Sequence, residues 1–296
     1  MEVKQLLSKI KAEFPEIKWK RHRVITQGWD YYIVILDENI VFRFPKRPSD
    51  LRFRLYDEVC LLRYLRNKVD VGVPEYTHVF RDKSAAGYKL LSGVELKPYQ
   101  YKRLLPDEKE MIARKIANFL SVLHATPKTI IKKCSVPTEK YVKRYNELVY
   151  DVKRLLFPRF SKDEVELIER YFEELKMAMG RKHPKVLVYN DLTWEHILWD
   201  KEKQQINIID FGDCVLGDPA VDFAGLWEYG LDFTRKVFDF YDGEKDEHML
   251  YRSQLYFKRI PLFLMKGSLQ GWPCTFEDGY KMFRQCFKQN ISEISQ

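Results

Sequence analysis

Two short segments of the 296-residue chain concentrate side chains that do chemistry: VYNDLTWEHIL, residues 188–198, and IIDFGD, residues 208–213. Each begins as an apolar run and ends by presenting a carboxylate in a loop, Asp191 in the first and Asp210 in the second. His196 follows Asp191 by five residues, and the two aspartates stand nineteen residues apart. Phosphoryl transfer uses such a set. One carboxylate accepts or orients an attacking hydroxyl, and a second holds the metal ion that neutralises a triphosphate. Either segment alone says little, because an Asp after a strand is an ordinary turn residue. Together and in this order they form a strong signal.

These residues need a scaffold that delivers strand ends to one cleft. Residues 24–44 read as a meander of at least three antiparallel strands, with β-branched and aromatic runs separated at Gln27-Gly28 and at Asp37-Glu38-Asn39. Pro45 stops the last of them, and Val59, Leu61, Leu62 and Leu65 recur at helical intervals within residues 50–68. Two further strand-like pieces lie around Tyr76 to Phe80 and Gly87 to Leu91. The first 90 or so residues thus read as a small sheet crossed by one helix. Ser92-Gly93 makes a joint, after which residues 106–123 form an amphipathic helix with an acidic first turn. Residues 138–179 are helical by period with an interruption at Phe157-Pro158. Strand character returns at 185–189 and 205–209, and the chain from Asp222 onward is largely helical with breaks at Gly230, Gly243 and Pro273.

The chain resembles the kinase-fold small-molecule phosphotransferases, most closely the aminoglycoside 2″-phosphotransferases. The resemblance runs over nearly the full length: Gln27-Gly28-Trp29-Asp30, Val41 to Lys46, Glu58, Gly87-Tyr88-Lys89, Asn190-Asp191 with His196, and most specifically DFGDCVLGDPAVDF at 210–223. It implies an α+β, bilobal protein-kinase-like fold, with a small antiparallel-sheet N-lobe carrying one helix and a larger, mainly helical C-lobe. Residues 1–91 would be the nucleotide-binding lobe. Residues 92–296 would hold the catalytic loops (about 185–230) and a helical acceptor-binding subdomain (about 126–180 and 231–296).

Residue by residue, Asp191 matches the family's catalytic aspartate, and Asp210 matches the aspartate that binds Mg2+. His196 falls where many kinases place Asn and is a candidate metal ligand. Glu58 matches the helix glutamate that pairs with the phosphate-binding cation. That cation is Arg43 here where kinases place Lys, with Lys46 as the substitute; the two side chains differ in how they hold a phosphate. Gly28 is the one glycine of the first hairpin loop. Around Lys89 to Leu91 the chain crosses between lobes and would meet the purine of ATP or GTP. Tyr189 stands where kinases commonly have His.

The charge sits unevenly. The whole chain carries 51 Lys and Arg against 43 Asp and Glu, for a net +8, yet residues 191–250 hold 15 acidic and 5 basic side chains. Such asymmetry suggests two surfaces with different partners. The negative part begins at Asp191 and supplies Asp213, Asp222, Glu228 and Asp232 as candidate contacts for a polycationic aminosugar, with Trp272 as an apolar wall. Asp218 and Asp222 also fit the capping and anchoring of a helix.

An aminoglycoside phosphorylated on a hydroxyl, the 2″ position by resemblance, is the leading acceptor, and the outcome would be antibiotic resistance. A macrolide or amino-alcohol kinase is the nearest rival, favoured by an apolar acceptor pocket, and a non-catalytic nucleotide-binding module is the alternative from another class. The basic 138–185 region has no recognised nucleic-acid module, so no specific nucleic-acid partner is expected. Five cysteines without a CxxC pair encode neither a zinc ribbon nor a disulfide framework. Apolar runs of about six residues fall far short of a bilayer span of roughly 20. A cytoplasmic monomer without membrane contact is the simplest expectation.

Overall fold

The computed structural model describes residues 2–288. The end of the expected C-terminal lobe, residues 289–296, lies outside the described residues.

The N-terminal lobe is a five-stranded antiparallel sheet in the order β1-β2-β3-β5-β4, with β1 at His22–Ile25, β2 at Tyr31–Leu36, β3 at Ile40–Pro45, β4 at Tyr76–Val79 and β5 at Ala86–Lys89. Its central strands β2 and β3 read as near-continuous apolar runs because both faces are covered, and side chains alternate between them. Tyr31, Ile33 and Ile35 of β2, with Val41 of β3, face the main core beneath helix α2 (Leu55–Leu65). Val34, Leu36, Phe42 and Phe44 face the other way and close a separate small core with Leu6 and Ile10. Those two belong to α1 (Val3–Glu13), a second helix where one was expected. Its pattern is hidden in sequence by a charge every few residues, and only the Leu6 and Ile10 stripe is buried. Arg43 shares the odd-numbered face of β3 with Val41, which aims a cation at α2.

The larger lobe is built around α4 (Pro106–His124), whose Ile112, Ala113, Ile116, Ala117, Phe119, Leu120 and Leu123 are fully buried. Pro106 at its start and Asp107 and Glu108 in its first turn suit the positive helix end. Two short ladders sit on this helix. The strands β6 (Val94–Glu95), β8 (Ile197–Asp200) and β9 (Gln205–Ile208) form one, and β7 (Val186–Val188) pairs antiparallel with β10 (Val215–Gly217) in the other. The loops from β7 to β8 and from β9 to β10 carry the two aspartates. Further helices complete the lobe: α3 (Pro98–Lys102), α5 (Lys128–Lys133), α6 (Tyr141–Leu155), α7 (Lys162–Met179), α8 (Leu231–Phe240), α9 (Met249–Leu269) and α10 (Phe276–Lys288). A short 3-10 turn at Phe157–Arg159 fills the expected interruption between α6 and α7, and Ser161 caps α7 by accepting from the Glu164 N–H.

A second sequence expectation is overturned by the cysteines. Cys60 of α2 and Cys134 at the end of α5 are disulfide-bonded across 74 residues, while Cys214, Cys274 and Cys286 are free. The pairing depends on α2 packing against α5, a tertiary contact that cysteine spacing does not reveal. Among the described residues no helix is long and apolar enough to cross a membrane.

Candidate active site

The cleft between the lobes gathers five of the sequence-selected residues. Arg43 is 3 % exposed and Glu58 fully buried. The Arg43 guanidinium donates from Nη1 to Glu58 Oε1 at 2.6 Å and to the Tyr76 hydroxyl at 2.9 Å, and from Nη2 to Asp210 Oδ1 at 2.6 Å. Tyr76 donates in turn to Glu58 Oε1 at 2.8 Å, and the Arg43 guanidinium lies 3.9 Å over the Tyr31 ring. A planar fork with several donors serves all these partners together, which an ammonium would not do. Burial raises the Glu58 carboxyl above its ordinary range despite Arg43. Burial also works against the charge of Asp210, but Arg43 and then His196 outweigh it and hold that carboxyl below its usual range.

Asp210 follows β9 with a positive φ of 63°, and Asn190, just before Asp191, has φ of 72°. Both loops therefore turn sharply at the residues that present the carboxylates. The His196 Nδ1–H donates to the Asp191 carbonyl oxygen at 2.9 Å, which fixes the tautomer. Its Nε2 is left 4.0 Å from Asp210 Oδ2, and its Nδ1 is 3.5 Å from Asp191 Oδ2. Burial raises the Asp191 carboxyl most; His196 opposes this, and Asp213, Asp210 and Glu195 add to it, leaving it pushed up to about 7. Burial tends to lower the His196 imidazole, but Asp191 and Asp210 prevail and raise it.

Asp222 lies elsewhere in role. It is fully buried, accepting from the Tyr189 N–H at 2.8 Å and the Asn190 N–H at 2.6 Å, with His124 Nε2 at 2.9 Å. The loop that ends in Asp191 hangs from this carboxylate, so Asp222 is an internal anchor with no face toward a substrate. Asp218 is an anchor too: it caps its own 3-10 turn through the Ala220 N–H and holds Arg252 and Tyr256 of α9. Tyr189 donates its hydroxyl to the Ile209 carbonyl, tying the two aspartate loops to each other.

The remaining candidates occupy the rim. Lys46 donates to the carbonyls of Thr26 and Gly28, so it holds the first hairpin loop. Lys89 ends β5 with an exposed side chain, Leu90 N–H pairs with the Asn39 carbonyl at 2.7 Å, and Leu91 begins the crossing. Glu228 is pushed up to about 7, by burial first and then by Glu195. Asp232 is exposed in the first turn of α8, and Asp213 meets Arg52 at 3.5 Å. Trp272 packs edge-on against Trp29 of the first hairpin loop, ring centres 5.1 Å apart.

A cavity of about 250 Å³ opens beside Asp191, and it contains none of Asp213, Asp222, Glu228, Asp232 or Trp272. Tyr145 and Leu148 of α6, Leu175 and Met179 of α7, and Tyr256, Ile260 and Phe263 of α9 line its body. Arg52, Arg144, Arg259 and Glu139 bring the charge. Sequence reading passed over these four, and over Tyr76, Tyr31 and His124. The three arginines and His124 left only the trace of a basic residue in otherwise ordinary helical or loop sequence, and Glu139, Tyr31 and Tyr76 left none.

Magnesium is usually held by one or two carboxylates plus waters and substrate phosphates. Asp210 Oδ2 fits that pattern, while His196 Nε2, 4.0 Å away, would add a nitrogen donor that lies outside it. Among the described residues no cluster of three or more His, Cys, Asp or Glu could hold a metal by itself.

A model of the phosphotransferase enzyme family matches residues 22–247. Among solved structures, the GDP and kanamycin complex of APH(2″)-IIia is similar over 97% of this chain and 99% of that one, with TM-score 0.86 and 23% identity. The gentamicin complex of APH(2″)-IIa is similar over 99% of this chain and 98% of that one, with TM-score 0.68 and 21% identity. Macrolide 2′-phosphotransferase type I is similar over 98% and 97%, with TM-score 0.65 and 18% identity. At these identities the likeness is one of fold.

Proposed function

The chain belongs to the phosphotransferase enzyme family, and we propose that it moves the terminal phosphoryl group of ATP or GTP to a hydroxyl of an aminoglycoside, the 2″ position, so inactivating the drug. The carrying observation is the chain Glu58–Arg43–Asp210, buried at its first two members, which ends 4.0 Å from His196 and beside the loop of Asp191. In this reading residues 1–91 and the crossing at Lys89 to Leu91 hold the nucleotide, and Gly28, fixed by Lys46, covers its phosphates. Asp210, with His196 beside it, would hold magnesium, and the ion would supply neutralisation of charge developing on the phosphates. Asp191 orients the acceptor hydroxyl and takes its proton, a role suited to a carboxyl tuned near neutrality.

Support for an amine-bearing acceptor comes from Glu195, Glu228 and Asp213 near the loop, and from the kanamycin and gentamicin complexes of the similar structures. A second reading, a macrolide-like acceptor with an apolar body, is favoured by the Tyr145, Leu148, Leu175, Met179 and Phe263 lining of the cavity. The test is a panel of kanamycin, gentamicin, a macrolide and choline with MgATP and MgGTP in parallel. Products are read by mass and their regiochemistry by NMR, against Asp191→Asn. We expect 2″-phosphorylated kanamycin; a macrolide product alone selects the second reading. Absence of any Asp191-dependent transfer overturns both.

A further inference from the structure

The cavity beside Asp191 holds, besides that residue, a buried carboxylate on a fixed frame. Glu139 stands on an extended stretch that runs beside β10. Its N–H donates to the Leu216 carbonyl at 3.0 Å, the Leu216 N–H donates to the Pro137 carbonyl at 2.8 Å, and Thr138 bridges to Leu216 in parallel. Since β10 begins two residues after Asp213, one frame places both carboxylates. Glu139 Oε1 accepts the Lys140 N–H at 2.8 Å and meets Arg144 Nε at 3.0 Å, and the side chain is only 4% exposed. Its other oxygen, Oε2, meets Arg52. Arg52 reaches Asp213 as well, from Nη1 to Oδ1 at 3.5 Å.

Arg52 differs from these partners in where it comes from. It stands in the irregular loop between β3 and α2 of the N-terminal lobe, and it crosses the cleft to line the same cavity as Asp191. A cation of the chain itself thus sits on the carboxylates beside the residue that receives the acceptor. The place does not suit it well: burial, then Arg144, bring the Arg52 guanidinium down to about 10 against the pull of Asp213. Withdrawn into solvent, Arg52 recovers its hydration, while the carboxylates keep their frame and lose a partner. Arg144 and Arg259 then stand against Asp191, Glu139 and Asp213, which leaves one negative charge for an incoming cation.

We propose that Glu139 and Asp213 form a cation subsite of the acceptor cavity, filled by the Arg52 guanidinium until an ammonium group of the acceptor displaces it. The inference deepens the aminoglycoside reading and rests on it for the source of the ammonium. The exchange is selective. A neutral acceptor would break the Arg52 pairs and offer nothing in return, whereas an amine within reach of the reacting hydroxyl replaces one cation by another. Arg144 stays on Glu139 throughout and keeps that carboxylate oriented.

The test has two arms, both on the full chain. In the first, kanamycin binding is measured by calorimetry in the presence of magnesium and a non-hydrolysable nucleotide, whose own binding certifies that each variant is folded. Arg52→Gln should bind kanamycin on the order of tenfold more tightly, the effect of one charge-assisted hydrogen bond no longer contested. Arg52→Gln/Glu139→Gln should lose that gain. The second arm needs no acceptor: methylguanidinium chloride, against sodium chloride at equal ionic strength, should raise the Tm of Arg52→Ala but not that of Arg52→Ala/Glu139→Gln. Kanamycin affinity unchanged or weakened in Arg52→Gln would make Arg52 a tie between the lobes and overturn the subsite. Kanamycin binding to none of these chains, with methylguanidinium still raising the Tm of Arg52→Ala, would uphold the cation subsite and overturn the aminoglycoside reading. Failure of both arms overturns the subsite.

Discussion

The guanidinium of Arg43 and the carboxylate of Asp210 meet at 2.6 Å across the cleft, joining β3 of the N-terminal lobe to the loop after β9. The same guanidinium neutralises Glu58 of α2, so one side chain ties together the sheet, its helix and the Asp210 loop. Glu58 is fully buried and its Oε2 has no hydrogen-bond partner. Removal of the cation therefore strands a carboxylate in a dry site, which typically costs about 3–5 kcal/mol. Arg43→Met should lower unfolding stability in urea by that amount, whereas Glu58→Gln, which leaves Arg43 paired with Asp210, should cost less. Equal losses in the two variants would contradict the linkage.

A pH dependence follows from Asp191 and Glu228. Both carboxyls are pushed up to about 7 in the folded chain, chiefly by burial. Ordinary carboxyls titrate near 4. The folded state therefore binds protons that the unfolded chain has released, and the stability this supplies is complete below about pH 4 and lost as pH rises toward 7. The Asp191 side chain is 44% exposed, so after screening its share is on the order of 1 kcal/mol or less. Unfolding free energy should fall from pH 5 to pH 8 and flatten in the Asp191→Asn/Glu228→Gln double variant. Activity should run the other way, because a proton-accepting Asp191 must be ionised: kcat/KM should drop below about pH 7. That apparent value belongs to the coupled Asp191 and His196 pair. A rate profile level from pH 5.5 to 8 would remove Asp191 from the base role.

Asp222 discriminates anchoring from substrate binding. Its carboxylate accepts two backbone N–H groups and faces His124. Asp222→Ala leaves those donors buried and unpaired at about 1–3 kcal/mol each. We expect a stability loss of at least about 3 kcal/mol and a fall in kcat from a disordered Asp191 loop. A variant that is fully stable but raised in acceptor KM would return Asp222 to the substrate.

What could be read from sequence was local. The apolar run of β2, the amphipathic α4 and the strand-ended Asp191 and Asp210 each follow from a period or a spacing, and these elements appear where residue patterns place them. The Arg43 to Glu58 pairing needed the family resemblance, because nothing within β3 or α2 alone names the partner. Contacts formed only by tertiary packing were not legible. For Asp222 the sequence offered both a substrate contact and the anchoring of a helix, and what it anchors, the backbone N–H groups of Tyr189 and Asn190, came only from the fold. Arg259 was one basic residue in a helix until the cavity brought it together with Arg52 and Arg144. The helix α1, with just Leu6 and Ile10 buried, carries too narrow a stripe to stand out.

The Cys60–Cys134 bond joins the helix that carries Glu58 to the C-terminal lobe. It closes a loop 74 residues long, and the chain-entropy account assigns such a cross-link roughly 4 kcal/mol through restriction of the unfolded chain. Melting the protein with and without dithiothreitol should give a clearly lower Tm when reduced, and Cys60→Ser/Cys134→Ser should melt at the reduced value and ignore the reductant. Because α2 positions Glu58 against Arg43, reduction should also weaken nucleotide binding more than it weakens acceptor binding, a difference readable by titrating each ligand with the other absent. A reduced protein that melts and binds like the oxidised one would mean that the packing of α2 on α5 holds the lobes without the bond.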